Sequence, residues 1–325
     1  MRPAQLRESL FGPASLERLG GVADLDGHVV TDLDDPASRA ALADAELLIT
    51  GWGSPRIDAS VLEAAPGLRV VIHSAGTVKG LVDPVVWERG VRVSSAAAAN
   101  AQPVAEYTVA MITLAGKRVL QAAAELRHQQ GSNGWQLRQD VGNYGRTVGI
   151  VGASRTGRRV MDMLAPYDVD IAVYDPFLSD AEAARWGARV TSLVELAARC
   201  DIVSLHAPAL ASTRHMFGAT ELAAMRDGAT LINTARGSLV DHDALLAQLD
   251  RRPLYAILDV TEPEPLAAGH PLYDHPRAFL TPHIAGSLGN ELQRLGDSVL
   301  NEAERYAGGL PLRHEVRLAD LPTMA

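Results

Sequence analysis

Three motifs late in the sequence together supply a cation, a carboxylate and an imidazole. They read NTARG, DVTEPEP and TPHIAG, and they carry Arg236, Glu264 and His283 respectively. A guanidinium can grip a carboxylate and polarise a neighbouring keto oxygen. An imidazolium can give that oxygen a proton as hydride reaches the carbon, while an adjacent carboxylate fixes the imidazole's orientation. This set fits reduction of a 2-keto acid. The alternative is three unrelated surface residues.

A glycine-rich stretch from Val148 to Gly157, VGIVGASRTG, could hold a pyrophosphate. It reads as a strand, a tight turn and the start of a helix, whose free backbone N–H groups would point at the phosphates. Gly152 and Gly157 occupy the first and third glycine positions of the dinucleotide-binding pattern, and Ser154 occupies the middle one. Serine can still donate a hydrogen bond, but its side chain narrows the space through which a phosphate can approach the backbone. An ordinary structural turn is the alternative.

Asp175 closes the strand that follows this loop, in the sequence VYDP. A carboxylate at that place accepts hydrogen bonds from ribose hydroxyls and repels a 2′-phosphate. The residue therefore favours NAD over NADP. The alternative is that Asp175 only caps a turn before Pro176.

These motifs lie in a regular alternation of strands and helices. Strands are predicted at Val148–Val151, Ile171–Tyr174, Ile202–Leu205, Thr230–Asn233, Ala256–Leu258 and Ala278–Leu280. Ser192 and Asp241 are placed to cap two of the helices between them. Six strands with intervening helices match a complete dinucleotide-binding domain. The three chemical motifs would then follow strand ends at one edge of a parallel sheet.

The earlier part of the chain shows the same alternation on a smaller scale. Strands are predicted at Leu47–Thr50, Leu68–Ile72 and Val91–Ser94, and helices at Ile57–Ala64, after Asp83-Pro84 and at Asn290–Tyr306. Residues 100–129 read as one long helix, either packed in the core or serving as a connector or dimer surface. We expect an α/β protein with two Rossmann-like domains. A doubly wound NAD-binding domain, 100–286, would be inserted into a smaller flavodoxin-like substrate domain, 1–99 and 287–325.

Charge and composition argue against several classes of partner. The 325-residue chain has a net charge of −9 with scattered acids and bases, which gives nucleic acid or an anionic membrane no basic surface. Its single cysteine, Cys200, cannot form an internal disulfide, and neither a signal-peptide core nor a membrane span is evident. We expect a cytoplasmic protein.

Histidines and cysteine show no metal-ligand spacing, so no metal is expected. His73, His215, His270 and His275 are expected to be structural or exposed, and Trp135 to be a core or domain contact.

The ordered set of motifs resembles the D-isomer-specific 2-hydroxyacid dehydrogenases, the family of phosphoglycerate, glyoxylate and hydroxypyruvate reductases. The likeness runs from about residue 46 to residue 286 and includes VAE at 104–106 and LHAP at 205–208. It implies an NAD-dependent enzyme that interconverts a 2-keto acid and a D-2-hydroxy acid, with Arg236, Glu264 and His283 as the catalytic trio. It also implies domain closure and a homodimer around the long helix.

The resemblance further implies which residues meet the cofactor. Arg155 and Thr156 would contact the pyrophosphate, Asp175 the ribose, and Asp259 the nicotinamide carboxamide. The full implied set is Gly152, Ser154, Arg155, Thr156, Gly157, Asp175, His206, Pro208, Thr234, Ala235, Arg236, Asp259, His283, Ala285 and Gly286.

The segment expected to bind the substrate carboxylate departs from the family pattern and reads SAGTVKG at 74–80. Backbone N–H groups of Ala75, Gly76 and Thr77 could still bind a carboxylate, together with Arg236. Lys79 adds a cation that could select an acidic or phosphorylated substrate, or could be a solvated surface lysine.

Two other hypotheses remain open at this point. The chain could be an NAD(H)-sensing binding module, similar to a corepressor, or it could oxidise formate. Formate has no carbinol oxygen, so an imidazole paired with a carboxylate would not serve it. Consumption of NADH with a panel of 2-keto acids separates an enzyme from a sensor.

Overall fold

The computed structural model describes residues 3–130 and 138–324 of the chain. They form two compact units, one ending at Asn100 and resuming at Ser287, the other spanning Ala101–Gly286. Trp135 lies outside the described residues.

Helices and strands alternate along most of the chain. The helices are α1 Pro3–Leu10, α2 Pro13–Gly20, α3 Pro36–Ala43, α4 Ala59–Ala64, α5 Pro84–Glu88, α6 Ala97–Gly116, α7 Val119–Gln129, α8 Arg155–Leu164, α9 Asp180–Ala183, α10 Leu193–Arg199, α11 Ala219–Ala224, α12 His242–Arg251 and α13 Leu292–Ala307. The strands are β1 Leu47–Thr50, β2 Val70–His73, β3 Arg92–Ser95, β4 Arg146–Val151, β5 Val169–Tyr174, β6 Arg189–Val190, β7 Ile202–Leu205, β8 Thr230–Asn233, β9 Tyr255–Leu258 and β10 Ala278–Leu280.

The first unit is built on a parallel sheet of three strands in the order β1-β2-β3. Its central strand alternates between two cores, since Val70 and Ile72 pack with α1 and α13 while Val71 packs with α4 and α5. Asp83 accepts a hydrogen bond from the Val85 backbone N–H, and Pro84 follows it at the first position of α5. The predicted start of this helix is confirmed.

The second unit holds a seven-stranded parallel sheet in the order β10-β9-β8-β7-β4-β5-β6. The six strands predicted from sequence are present, and the α/β class is confirmed. The expected number of strands in this sheet, six, was wrong by one, because the edge strand β6 was missed. Its two residues are only partly covered, which is too short and too exposed for an apolar pattern to reveal. The strand order reverses at β4, the place where doubly wound sheets bind nucleotides.

The prediction of one helix over residues 100–129 was wrong, because the structure has two helices separated at Arg118. The backbone of Arg118 is left-handed, with φ of 54°, and the residue is only 5% exposed. Its guanidinium lies 4.5 Å from the Tyr255 ring centre and donates to the Gly228 carbonyl at 2.5 Å. Turning this side chain inward ends the helix, and helical spacing carries no signal for such a contact.

Ser192 and Asp241 cap α10 and α12 as predicted, each accepting a hydrogen bond from a backbone N–H of the first turn. Among the described helices, none combines the length and apolar character needed to cross a membrane.

Candidate active site

Three neighbouring strands of the larger sheet end at the same edge. Asn233 of β8 pairs in parallel with Leu258 of β9, which pairs with Leu280 of β10. The segments that follow these strands therefore leave the sheet side by side. Arg236, Glu264 and His283 all lie in those segments.

Glu264 and His283 are in direct contact. Oε1 of Glu264 lies 2.5 Å from Nδ1 of His283, and the side chains are 41% and 50% exposed. A carboxylate on Nδ1 fixes the hydrogen there and leaves Nε2 to exchange a proton with a ligand. The pair is thus both oriented and accessible.

Asp259, at the end of β9, anchors the segment that carries His283. Its carboxylate accepts backbone N–H groups from Ile284 at 2.8 Å and Ala285 at 2.9 Å, and its carbonyl accepts the N–H of His283 at 2.9 Å. His283 adopts a left-handed conformation with φ of 55°, which an L-residue keeps only when surrounding contacts hold it. The resemblance placed this carboxylate near the nicotinamide; its contacts in the structure are to the His283 segment.

Asn233, at the end of β8, anchors the segment that carries Arg236. This fully buried amide accepts the Ala235 N–H at 3.1 Å and donates to the Arg236 carbonyl at 2.8 Å. Asn233 was not among the site residues predicted from sequence. The only available signal was an asparagine at the junction of a strand and a turn, a place where its side chain commonly bonds to the backbone.

Gly237 brings the Arg236 segment against the Glu264 segment. A Cβ atom at Gly237 would lie 2.0 Å from the carbonyl carbon of Thr261, so only glycine allows this approach. The charges of Arg236 and Glu264 also interact. Desolvation lowers the pKa of Arg236, and the negative charge of Glu264 opposes that shift. The structure thus brings the carboxylate and the imidazole into contact and places the Arg236 segment beside the Glu264 segment. The Arg236 guanidinium donates to the Ala235 carbonyl at 2.6 Å.

The glycine-rich loop between β4 and α8 is shaped by close backbone packing. Gly152 has φ of 96°, and a Cβ there would lie 2.7 Å from the Ala207 nitrogen. A Cβ at Gly157 would lie 2.1 Å from the Gly152 carbonyl oxygen. Ser154 caps α8, since its Oγ accepts the Gly157 N–H at 3.3 Å. Because this hydroxyl acts as an acceptor there, its hydrogen can still point at a phosphate.

Asp175 joins this loop to the end of β5. One carboxylate oxygen accepts the Ala153 N–H at 2.7 Å, and the other accepts the Phe177 N–H at 2.8 Å. Asp175 therefore caps a turn, and each oxygen also keeps a lone pair for a ribose hydroxyl. A loop with glycines at its two closest backbone contacts, a helix amino terminus and an adjacent carboxylate fit the adenosine diphosphate half of NAD.

The other residues of the predicted cofactor set differ in exposure. Arg155 is exposed and Thr156 half-buried in the first turn of α8. His206 is 3% exposed, and its ring nitrogen Nε2 lies 2.9 Å from the Ser204 hydroxyl. Burial lowers the pKa of His206 to about 3. Thr234 is also buried, 3.0 Å from the Thr108 hydroxyl. Pro208, Ala235 and Gly286 are half-buried, and Ala285 is buried.

The segment predicted to bind the substrate carboxylate follows β2 in the first unit. Ala75 is buried, whereas Gly76, Thr77 and Lys79 are half-buried. The Lys79 backbone N–H donates to the Thr77 hydroxyl at 3.2 Å, which closes a tight turn. All four residues lie in the loop between β2 and α5.

Four further histidines behave as structural or exposed groups. His73 is buried beside Thr50, and burial lowers its pKa to about 4. The ring nitrogens of His270 and His275 accept nearby backbone N–H groups, and the side chain of His215 is 41% exposed. Across residues 3–130 and 138–324, no group of three or more histidine, cysteine or acidic side chains could hold a metal ion.

Comparisons with known proteins identify a family and a fold that this chain shares. Residues 109–285 match the family model described as D-isomer specific 2-hydroxyacid dehydrogenase, NAD binding domain. D-3-phosphoglycerate dehydrogenase of Mycobacterium tuberculosis H37Rv is 30% identical over 94% of this chain and 57% of its own length. Glyoxylate reductase of Korarchaeum cryptofilum is 30% identical over 89% of this chain and 90% of its own.

A solved structure, the TT0316 protein of Thermus thermophilus, aligns with a TM-score of 0.73 at 31% identity, covering 94% of this chain and 96% of its own. The chain spans little more than half the length, 57%, of the phosphoglycerate dehydrogenase that it matches.

Proposed function

The chain belongs to the D-isomer-specific 2-hydroxyacid dehydrogenase family, and from that premise we propose that it is an NAD-dependent oxidoreductase interconverting a small 2-keto acid and a D-2-hydroxy acid. The observation that carries the proposal is the 2.5 Å contact between Glu264 and Nδ1 of His283, with Arg236 in the adjoining segment. A fixed cation beside an accessible, oriented imidazole is the equipment for adding a proton to a keto oxygen.

Each member of the trio has a distinct task. NADH, when bound, supplies the hydride for the α carbon of the keto acid. Arg236 binds the substrate carboxylate and polarises the keto oxygen. His283 gives the proton on Nε2 to that oxygen, and the resulting hydroxyl belongs to the 2-hydroxy acid. Glu264 stabilises the imidazolium before this transfer and keeps the Nδ1 hydrogen in place. In the reverse direction the neutral imidazole takes the hydroxyl proton.

We assign the remaining predicted residues to binding. Gly152, Ser154 and Gly157, with the first turn of α8, would hold the pyrophosphate, and Asp175 would hold the ribose and disfavour a 2′-phosphate. The first unit would be the substrate-binding domain, where backbone N–H groups at 75–77 receive the carboxylate. Lys79 would favour acids with a second negative group.

We also propose a homodimer formed around α6 and α7. The support is the surface of α7, where Val119 and Leu126 are 40% and 58% exposed. A reducing, cytoplasmic compartment suits a chain whose single cysteine, Cys200, is buried. Sedimentation of the full chain tests the dimer, and Leu126→Glu is expected to dissociate it.

The enzymatic proposal is tested by following NADH oxidation with glyoxylate, hydroxypyruvate, pyruvate, phenylpyruvate, 2-oxoglutarate and 3-phosphohydroxypyruvate side by side. Arg236→Ala should weaken both substrate binding and turnover, because its charge serves both. His283→Gln should lower kcat by roughly a hundredfold or more while leaving NADH binding intact. Full activity of the His283 variant would refute the assigned role.

The same panel separates an enzyme from a sensor, since both bind NADH but only the enzyme consumes it. Lys79→Met, measured beside wild type, should reduce activity selectively on 2-oxoglutarate and 3-phosphohydroxypyruvate. An equal loss of activity on all acids of the panel would mean that Lys79 does not bind a second negative group of the substrate.

A further inference from the structure

We infer that Tyr107, on α6, is a positioning residue for proton transfer, fixing the segment of His283 through Thr281 and Asp259. The inference rests on the proposed function and deepens it. The Tyr107 hydroxyl lies 2.7 Å from Oγ1 of Thr281, which in turn lies 2.6 Å from a carboxylate oxygen of Asp259. These three side chains join a helix to the ends of two sheet strands.

The direction of both hydrogen bonds follows from the donors available. An ionised carboxylate can only accept, so the single hydroxyl hydrogen of Thr281 goes to Asp259. The oxygen of Thr281 is then an acceptor toward Tyr107, and the tyrosine must donate. With Asp259 ionised, the result is a one-way relay of hydrogen bonds from Tyr107 to Thr281 to Asp259.

Asp259 depends on this relay because it is a buried carboxylate. The residue is 2% exposed, and its carboxylate accepts the Thr281 hydroxyl and the backbone N–H groups of Ile284 and Ala285. A buried negative charge with few donors is sensitive to the loss of any one of them. Those same contacts hold His283 in its left-handed conformation, so a weakened relay would displace the imidazole.

Tyr107 is suited to remain a donor across the working pH range. Burial and the negative charge of Asp259 raise the pKa of Tyr107, which keeps its hydrogen in place. A phenylalanine at this position would preserve the aromatic ring. It would remove only the hydroxyl, leaving Oγ1 of Thr281 without its donor.

The test compares kcat, KM and the NADH dissociation constant for Tyr107→Phe, Thr281→Val, the double variant and Thr281→Ser. Each of the first two should lower kcat about tenfold, a larger change than any in the NADH dissociation constant, because one hydrogen bond in the relay is lost. The double variant should be no slower than the slower single variant, because both break the same relay. Thr281→Ser, which keeps the hydroxyl, should retain wild-type kcat.

Tyr306→Phe is the matched control. It removes a tyrosine hydroxyl that donates to Glu46 at 2.6 Å in the first unit, outside the unit that carries the relay. Its kcat should equal that of wild type even if its stability falls. Unchanged kcat in Tyr107→Phe, or losses that add up in the double variant, would overturn the inference.

A second measurement keeps the inference separate from the proposed function. Imidazole nitrogen NMR signals of His283, identified by their absence in His283→Gln, should shift in Tyr107→Phe and stay in place in Tyr306→Phe. If wild type consumes no NADH with any acid of the panel, the proposed function fails. The NMR spectrum alone then tests whether Tyr107 positions His283. Unmoved His283 signals would then refute the positioning role.

Discussion

Glu264 contacts Nδ1 of His283 at 2.5 Å, whereas Glu262, two residues earlier in the same motif, turns to Arg214 at 2.8 Å. Of the two glutamates in this motif, therefore, only Glu264 contacts the His283 imidazole. Both glutamates follow Thr261, whose carbonyl group lies directly against Gly237.

Glu264→Gln should lower kcat for keto-acid reduction by about ten- to a hundredfold. The amide keeps a polar contact with His283, but it loses the negative charge that stabilises an imidazolium. Glu262→Gln is the control, since it removes the same charge two positions away without touching the imidazole. Steady-state kinetics give kcat for both variants. Equal losses of kcat would argue against a special role for Glu264.

Gly237→Ala should impair both folding and chemistry. Its Cβ would lie 2.0 Å from the Thr261 carbonyl group, so the segments of Arg236 and Glu264 must separate. We expect a loss of about 2 kcal/mol or more in the free energy of unfolding, together with a kcat at least tenfold lower.

Gly67→Ala makes the matched comparison for this substitution, because the nearest atom to its Cβ would be at an ordinary 3.6 Å. Urea unfolding and turnover are measured for both variants. Wild-type turnover in folded Gly237→Ala would show that the close approach does not position Arg236.

The strands that end at the site could be predicted from sequence because buried parallel strands are short apolar runs bounded by turn residues. Their carboxyl ends then place Arg236, Glu264 and His283 at one edge without further information. The contacts that orient those side chains could not be predicted. Asn233, Thr281 and the tyrosine of α6 are common polar residues, and only the folded chain shows what their hydrogen bonds join.

The same limit explains the errors elsewhere. Arg118 interrupts the predicted long helix because its side chain finds a carbonyl and an aromatic ring 110 or more residues away in sequence. The strand β6 has only two residues, fewer than any periodic pattern needs. Long-range contacts and very short elements leave no local signature.

Ser154 can be tested directly as the substitute for the middle glycine of the phosphate loop. Ser154→Ala removes both the cap of α8 and the hydrogen available to a phosphate, so stability should fall by about 1 kcal/mol and NADH should bind more weakly. Ser154→Gly should cost only a few tenths of a kcal/mol and should bind NADH at least as tightly as wild type, because no side chain narrows the approach. Fluorescence titration with NADH measures the affinities. Wild-type affinity in the alanine variant would show that the hydroxyl does not contact the cofactor.

His206 should make the protein lose stability in mild acid. Its pKa is near 6.5 when exposed, and burial lowers it to about 3 in the folded state. Between these values the unfolded chain binds a proton that the folded chain does not, so the free energy of unfolding rises with pH in this window. The stability that the neutral, buried His206 allows is fully present above pH 6.5. Between pH 6.5 and about 3, the free energy of unfolding falls by about 1.4 kcal/mol for each pH unit.

The pH dependence of urea unfolding in His206→Gln and Ser204→Ala separates the titration from the hydrogen bond. His206→Gln keeps a polar partner for Ser204 but cannot be protonated, so its stability should fall less steeply than that of wild type below pH 6.5. Ser204→Ala loses the partner but keeps the imidazole, and should retain the steep slope. His73, with its pKa lowered to about 4, contributes in the same direction to all three proteins. Identical slopes for wild type and His206→Gln would mean that this imidazole takes up its proton without unfolding, so that burial does not keep it neutral.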